Sequence, residues 1–308
     1  MIAYSEGMLF GIALGDALGR PVEFMTLDAI KARYGREGIQ DLPDPALYTD
    51  DTEMTISLTE ALLAVDQSAS LDEKISTIAR HFVLWSHTDG SGRARGLASL
   101  KGTERFESGL PWSESGLLDG KSCGSVMRVA PIGYLYQDHL EQLQVMAAAQ
   151  SQITHNDPSA IASSVAGAYL IHLARSPLAP SRYLATLSEF VSGMSDELEQ
   201  VLRRVGHVIS WGSQEKALTH IGEGWIGTEA VGLALYCVMK YPDDVVSCMR
   251  RAANITGDSD SIASIAGGIL GARLGIDSFP SDWVKAVENS PYLHQLAHRL
   301  ESLRLTIQ

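Results

Sequence analysis

Apolar residues recur at helical spacing along most of this chain. Over residues 52–65, Met54, Leu58, Ala61, Leu62 and Val65 form one stripe. Over residues 258–274, Ile262, Ile265, Ala266, Ile269, Leu270 and Leu274 form another. Positions i, i+3, i+4 and i+7 share one face of a helix, so both segments read as helices buried on one side. The same periodicity predicts helices over about 71–87, 138–151, 157–175, 181–192, 195–210, 227–239, 241–253 and 282–304. No run alternates apolar with polar residues, and no Asn-Gly pair joins two β-branched runs, so no strand or hairpin is expected. The predicted class is all-α.

Nothing in the pattern divides the chain. There is no low-complexity linker and no repeat of fixed period, so a single domain over residues 1–308 is expected and a helical solenoid is not. The most Gly/Ser-rich region, about 89–124, reads as loops with short helical pieces. A loop region that long inside a compact domain points to function. The first helical segment has a pattern of its own. Gly7, Gly11, Gly15 and Gly19 recur every four residues and fall near one face. Each costs about 1 kcal/mol relative to Ala in a helix interior. Close approach of either another helix or a ligand would account for them.

Composition narrows the functional classes. Residues AVILMFWYC make up 45% of the chain, enough for a sizeable core. Asp and Glu number 37 against 24 Lys and Arg, a net charge of −13. Such a surface repels nucleic-acid phosphates and anionic membranes, so neither is an expected partner. Cys123, Cys237 and Cys248 are too few and too far apart for a disulfide framework or a zinc site. The N-terminal segment lacks a basic region and carries Glu6 and Asp16, so it does not read as a signal peptide. No window of about 18 apolar residues exists to span a membrane. A reduced, cytoplasmic protein is expected.

Part of the acidity is concentrated at two predicted helix starts. One is Thr49-Asp50-Asp51-Thr52-Glu53; the other is Gly257-Asp258-Ser259-Asp260-Ser261. Taken singly, each reads as a helix cap, with acids at the positive end of the helix dipole. Taken together they hold more oxygens than caps require. If the two starts meet, their carboxylates cannot all stay ionised without a counterion. Hard divalent ions such as Mg²⁺ or Mn²⁺ suit an all-oxygen set. The register excludes an EF-hand, since the loop glycine and the twelfth-position glutamate are absent.

These residues also form an ordered series of motifs. Gly11-Ile12-Ala13-Leu14-Gly15-Asp16-Ala17-Leu18-Gly19 is followed by Pro21-Val22-Glu23-Phe24 and by Thr49-Asp50-Asp51-Thr52. Cys123-Gly124-Ser125-Val126-Met127-Arg128-Val129-Ala130-Pro131, Thr154-His155, Gly224-Trp225 to Glu229-Ala230, and Gly257-Asp258-Ser259-Asp260-Ser261-Ile262-Ala263 complete it. In this series the chain resembles the ADP-ribosylglycohydrolase family over nearly its whole length.

The resemblance implies a compact single-domain orthogonal helical bundle with a dinuclear metal site at the base of a cleft. It makes Thr49, Asp50, Asp51, Asp258, Asp260 and Ser261 the ligands of two divalent cations, Mg²⁺ or Mn²⁺. Ser261 stands where Thr is more frequent, and it keeps the hydroxyl. Glu23, Asp50 and Asp258 become the candidate catalytic carboxylates, and Asp16 a structural one. Cys123, Gly124, Ser125, His155, Gly222 and Trp225 match positions near the substrate; His155 reads equally as a cap or core residue, and Trp225 as core. Cys123 replaces an Asn found in many relatives, which removes a side-chain amide contact. Arg93-Ala94-Arg95-Gly96 lacks the proline of an Arg-Ala-Pro-Gly motif in some relatives, and Asp89 is a weak candidate for a selecting aspartate nearby.

The implied reaction is hydrolysis of the bond between ADP-ribose and an acceptor. The partner is an ADP-ribosylated protein, arginine-linked first and serine-linked second, or a small ADP-ribose conjugate; a monomer is expected. Two alternatives keep the site and change its use, namely a dinuclear-metal phosphohydrolase and an inactive ADP-ribose-binding protein.

Overall fold

The computed structural model describes residues 4–307 of the chain. Helices make up its regular structure, and the described residues contain three isolated bridges and no strand. The expected all-α class is what forms. At the centre, the helix Tyr4–Gly19 packs along Ser259–Leu274, and Asp50–Ala64, Pro158–Arg175 and Gly227–Lys240 surround this pair. Both central helices are buried on nearly every face, which explains why their sequences are apolar all round.

The glycine repeat is the contact surface of that pair. A Cβ at Gly11 would lie 2.1 Å from the Gly267 carbonyl oxygen, and one at Gly15 would lie 2.1 Å from that of Ala263. Gly7 meets Gly271 in the same way, and Gly19 meets Asp260. Of the two explanations left open by the sequence, a neighbouring helix is the one realised. The pairing runs antiparallel, so the end of Tyr4–Gly19 lies beside the start of Ser259–Leu274. That geometry delivers the next residues, Arg20 to Glu23, onto Asp258 and Asp260.

Most predicted helices form within a few residues of their expected bounds, among them Leu71–Ser86, Leu140–Gln152, Asp196–Val208 and Gly227–Lys240. Three expectations need correction. The segment 241–253 begins its helix only at Val245, after Pro242, with the Asp244 carboxylate capping the Ser247 amide. The segment 282–304 is two helices, Ser281–Ala286 and Ser290–Thr306, separated where Asn289 takes a left-handed conformation ahead of Pro291. The region 89–124 is more ordered than loops, since Leu97–Glu107 is an 11-residue helix. Its buried residues are the small Ser99, Gly102 and Thr103, and at Gly102 a side chain would meet the Thr154 backbone at 2.5 Å. No helix among the described residues is long and apolar enough to cross a membrane.

Candidate active site

The two acidic helix starts do meet, and their acids are not the caps. Asp16, wholly buried on the first helix, takes over the capping of Asp50–Ala64. Its Oδ1 accepts from the Thr49 amide (2.8 Å) and hydroxyl (2.9 Å), and its Oδ2 from the Thr52 amide (3.0 Å) and hydroxyl (2.6 Å). Asp50 and Asp51 are thereby released from the helix end. Across from them, Asp258 is the N-cap of Ser259–Leu274 and makes no side-chain capping bond. Gly257 precedes it at φ 119°, and a Cβ there would strike the Glu223 carbonyl. The Gly257 amide and carbonyl pair with Met25 and Phe24, which ties the Glu23 turn to the Asp258 turn.

The outcome is a buried acidic cluster. One carboxylate oxygen from each of Glu23, Asp258 and Asp260 lies within 4.8 Å of the others. The Ser261 hydroxyl lies 3.3 Å from Asp51 Oδ2, and Thr49 Oγ1 lies 3.3 Å from Asp260 Oδ2. The Cys123 thiol donates to Asp258 Oδ2 at 2.8 Å. Burial raises every carboxyl in the group, and repulsion by neighbouring carboxylates adds to it for Asp16, Glu23, Asp50, Asp51 and Asp258. Glu23 is pushed up to about 10 and Asp16 to about 7, while Asp50, Asp51 and Asp258 stand well above the usual carboxylate range. The Gly96 amide, 3.0 Å from Asp50 Oδ2, partly offsets this for Asp50. Among the described residues, Asp51 Oδ1 is buried with no hydrogen-bond partner, and no lysine, arginine or histidine lines the pocket. An orphaned carboxylate oxygen among clustered oxygen donors, in a pocket lined by no basic side chain, fits a divalent cation.

The pocket above the cluster has a volume of about 170 Å³. Three of the candidate substrate residues, Cys123, Gly124 and Trp225, line it. The other three lie behind its wall. Ser125 is buried in a three-residue 3₁₀ turn, Cys123–Ser125, whose neighbour Arg128 is held by Gln150 and Thr154. Gly222, at φ 153°, packs on the Glu229 carboxylate, which accepts from the Glu223 and Gly224 amides. Asp89 is exposed, bonds Ser91, and does not line the pocket.

The structure also brings in residues not named as candidates from sequence. Phe24, 70% exposed at φ 64°, stacks on Trp225 with ring centroids 5.2 Å apart. Ala94, Gly96, Ser99, Ser122 and Met127 complete the wall. Arg95, in place of the motif's proline, anchors the 93–96 loop through Glu53 (3.0 Å) and Thr88 (2.6 Å) while lying over Trp85. The Arg93 carbonyl accepts from the Asp50 amide and the Gly96 amide donates to its carboxylate, so this loop grips Asp50 from both sides. Spacing gave no signal for these contacts, because apart from Arg95 to Thr88 they cross between distant segments.

His155 is fully buried between the Ser122 hydroxyl (2.7 Å from Nε2) and the Thr154 hydroxyl (2.7 Å from Nδ1). A Cβ on Gly124 would lie 2.7 Å from its ring. Burial, and then the charge on Arg128, lowers its pKa to about 3. Unfolded histidine titrates near 6.5, so the unfolded chain takes up this proton first. The associated loss of stability is absent above about pH 6.5 and grows by about 1.4 kcal/mol per unit as the pH falls toward 3. The stability advantage of the wild type over His155→Asn is therefore expected to narrow between pH 6.5 and 4, as measured by urea unfolding. A constant difference across that range would contradict a neutral buried imidazole.

Residues 5–307 match the model of the ADP-ribosylglycohydrolase family. The chain belongs to that family. It is a glycohydrolase, with the helical fold and acidic pocket described above. A Rhodospirillum rubrum relative, an ADP-ribosyl-dinitrogen reductase glycohydrolase, is 28% identical over 92% of this chain and 89% of its own. A Pseudomonas putida relative, ADP-ribosylarginine hydrolase Tri1, is 26% identical over 96% of this chain and 77% of its own. Among solved structures, an ADP-ribosylglycohydrolase-related protein complex shares the fold with a TM-score of 0.76 and 24% identity, covering 98% of both chains.

Proposed function

We propose that this glycohydrolase binds two divalent cations, Mg²⁺ or Mn²⁺, and cleaves the glycosidic bond between ADP-ribose and an acceptor. An arginine side chain is the first acceptor proposed; serine and small conjugates follow. The observation that carries the metal site is that Glu23, Asp50, Asp51, Asp258 and Asp260 line one pocket, with oxygens of Glu23, Asp258 and Asp260 within 4.8 Å of one another and Asp51 Oδ1 left unpartnered among the described residues. Thr49, Asp50, Asp51, Asp258, Asp260 and Ser261 would hold the ions. The arginine preference draws support from the name of the Pseudomonas putida relative and from a pocket whose charge favours a cationic guanidinium.

When bound, the cations would orient the ribose hydroxyls and acidify a water. The protein's own groups handle the protons. Asp50 or Asp258 accepts the proton of the attacking water, whose oxygen bonds to the anomeric carbon as the bond to the acceptor breaks. Glu23 holds a proton at its carboxyl and gives it to the departing nitrogen or oxygen. Neutralising its acidic neighbours draws its pKa down from about 10 toward the range where that transfer is reversible. Phe24 and Trp225, stacked on one another, give the pocket an aromatic wall.

The test uses arginine-, serine- and acetyl-linked ADP-ribose with Mg²⁺ or with Mn²⁺. Free ADP-ribose is the expected product, fastest from the arginine conjugate, with activity lost on chelation and restored by metal. AMP as the product would establish a phosphohydrolase instead. Tight ADP-ribose binding without turnover would establish a binding protein. Full activity after metal stripping would overturn the mechanism.

A further inference from the structure

Three serines line the pocket, and they differ in one respect. Ser122 is bonded to His155, and Ser261 lies within reach of Asp51 and Cys123. Ser99 is 1% exposed, and its buried hydroxyl has no hydrogen-bond partner among the described residues. A buried hydroxyl left unpaired costs about 1–3 kcal/mol, and native proteins tolerate few of them. Nothing in the helix it belongs to explains it. Ser99 is the third residue of Leu97–Glu107 and makes no capping bond, and its backbone carbonyl, not its hydroxyl, serves Thr103. Its location is specific. A Cβ built on Gly124 would come within 3.0 Å of Ser99 Oγ, and one built on Gly96 within 3.9 Å, so the hydroxyl lies between two side-chain-free stretches of wall. The cavity that Ser99 lines, about 170 Å³, is below the 300–1,000 Å³ range of sites that enclose a drug-sized ligand, a size on the scale of one sugar and not of a whole ADP-ribosyl group.

We infer that Ser99 is a substrate-binding residue whose hydroxyl hydrogen-bonds the sugar next to the scissile bond. This rests on the ADP-ribosyl hydrolase reading and adds a contact to it. The substrate supplies the partner that the fold withholds.

Ser99→Ala separates this from a structural role. Removing an unsatisfied hydroxyl from a helix and replacing it with the best helix former leaves the melting temperature of the free protein unchanged or raises it. Loss of a substrate hydrogen bond raises KM and weakens calorimetric binding of free ADP-ribose, each by about 5-fold, with kcat within about 2-fold of wild type. A lowered melting temperature with unchanged KM would overturn the inference in favour of a packing role. A rise in KM with unchanged affinity for free ADP-ribose would place Ser99 on the acceptor and overturn the sugar assignment. An active wild type matched by Ser99→Ala in both quantities removes this inference alone. A wild type that neither turns over nor binds ADP-ribose removes the functional reading with it.

Discussion

Asp258→Asn is expected to lower ADP-ribose release by about 10³-fold or more, the scale of losing a positioned proton-transfer group together with a charged ligand. The side chain keeps its shape, and the amide still presents an oxygen to the Cys123 thiol that now donates to Oδ2. What disappears is the negative charge. In the metal-free protein that charge is a burden, since Asp258 is wholly buried beside Asp260 and its carboxyl is driven well up by burial and by that neighbour. The metal-free variant should therefore melt at or above the wild-type temperature, with an unchanged helical circular-dichroism spectrum. Metal ions should discriminate the two proteins in the opposite direction. A ligand at 100 times its Kd stabilises a folded protein by about 2.7 kcal/mol, and the wild type should gain this from Mn²⁺ while Asp258→Asn gains much less. Asp50→Asn should behave alike in activity. Equal metal-induced shifts in wild type and variant would remove Asp258 from the metal site, and retained turnover would remove it from the chemistry.

Gly11→Val is expected to have the largest effect on stability. Its Cβ would lie 2.1 Å from the Gly267 carbonyl oxygen and 2.5 Å from the carbonyl carbon, and neither is the end of a flexible side chain. The two central helices must separate, and they make the most extensive helix pair in the fold. Overpacking in ordinary cores costs about 1–3 kcal/mol, and a backbone-to-backbone clash belongs at or above the top of that range. A loss of at least about 3 kcal/mol should appear as a drop of roughly 5–10 °C in melting temperature or as failure to accumulate folded protein. The same seam sets Gly19 against Asp260, so variants that still fold should also bind metal less tightly. An exposed glycine without neighbours, Gly212, provides the control: Gly212→Ala should shift melting by little. Wild-type stability in Gly11→Val would mean that the helices are not in contact.

The acidic helix starts show how far local sequence reaches. Asp50, Asp51, Asp258 and Asp260 stand out by composition and spacing, yet each short segment reads equally well as a cap. The tertiary contact from Asp16 decides the matter, because it satisfies the Thr49 and Thr52 amides and frees the acids for other use. Asp16 lies more than thirty residues upstream on another helix, so no local window contains both parts. Ser99 and the pairing of Arg95 with Glu53 were hidden for the same reason. A serine in a helix and an arginine in a loop are unremarkable until packing shows that one has no partner and the other grips Glu53 and Thr88.

By itself the sequence determined the helical class, the bounds of most helices, and the presence of two oxygen-rich helix starts. Those properties follow from near-neighbour periodicity and from the chemistry of single side chains. It also marked the glycine face as a place of close approach, because four glycines in one helix are costly without a reason. Only the tertiary structure decided what approached that face, which carboxylates share a volume, and which candidate residues face the pocket. The reason is physical: burial, mutual repulsion and unsatisfied hydrogen bonds are properties of side chains brought together from positions up to 237 residues apart, from Glu23 to Asp260, and they exist only once the chain has packed.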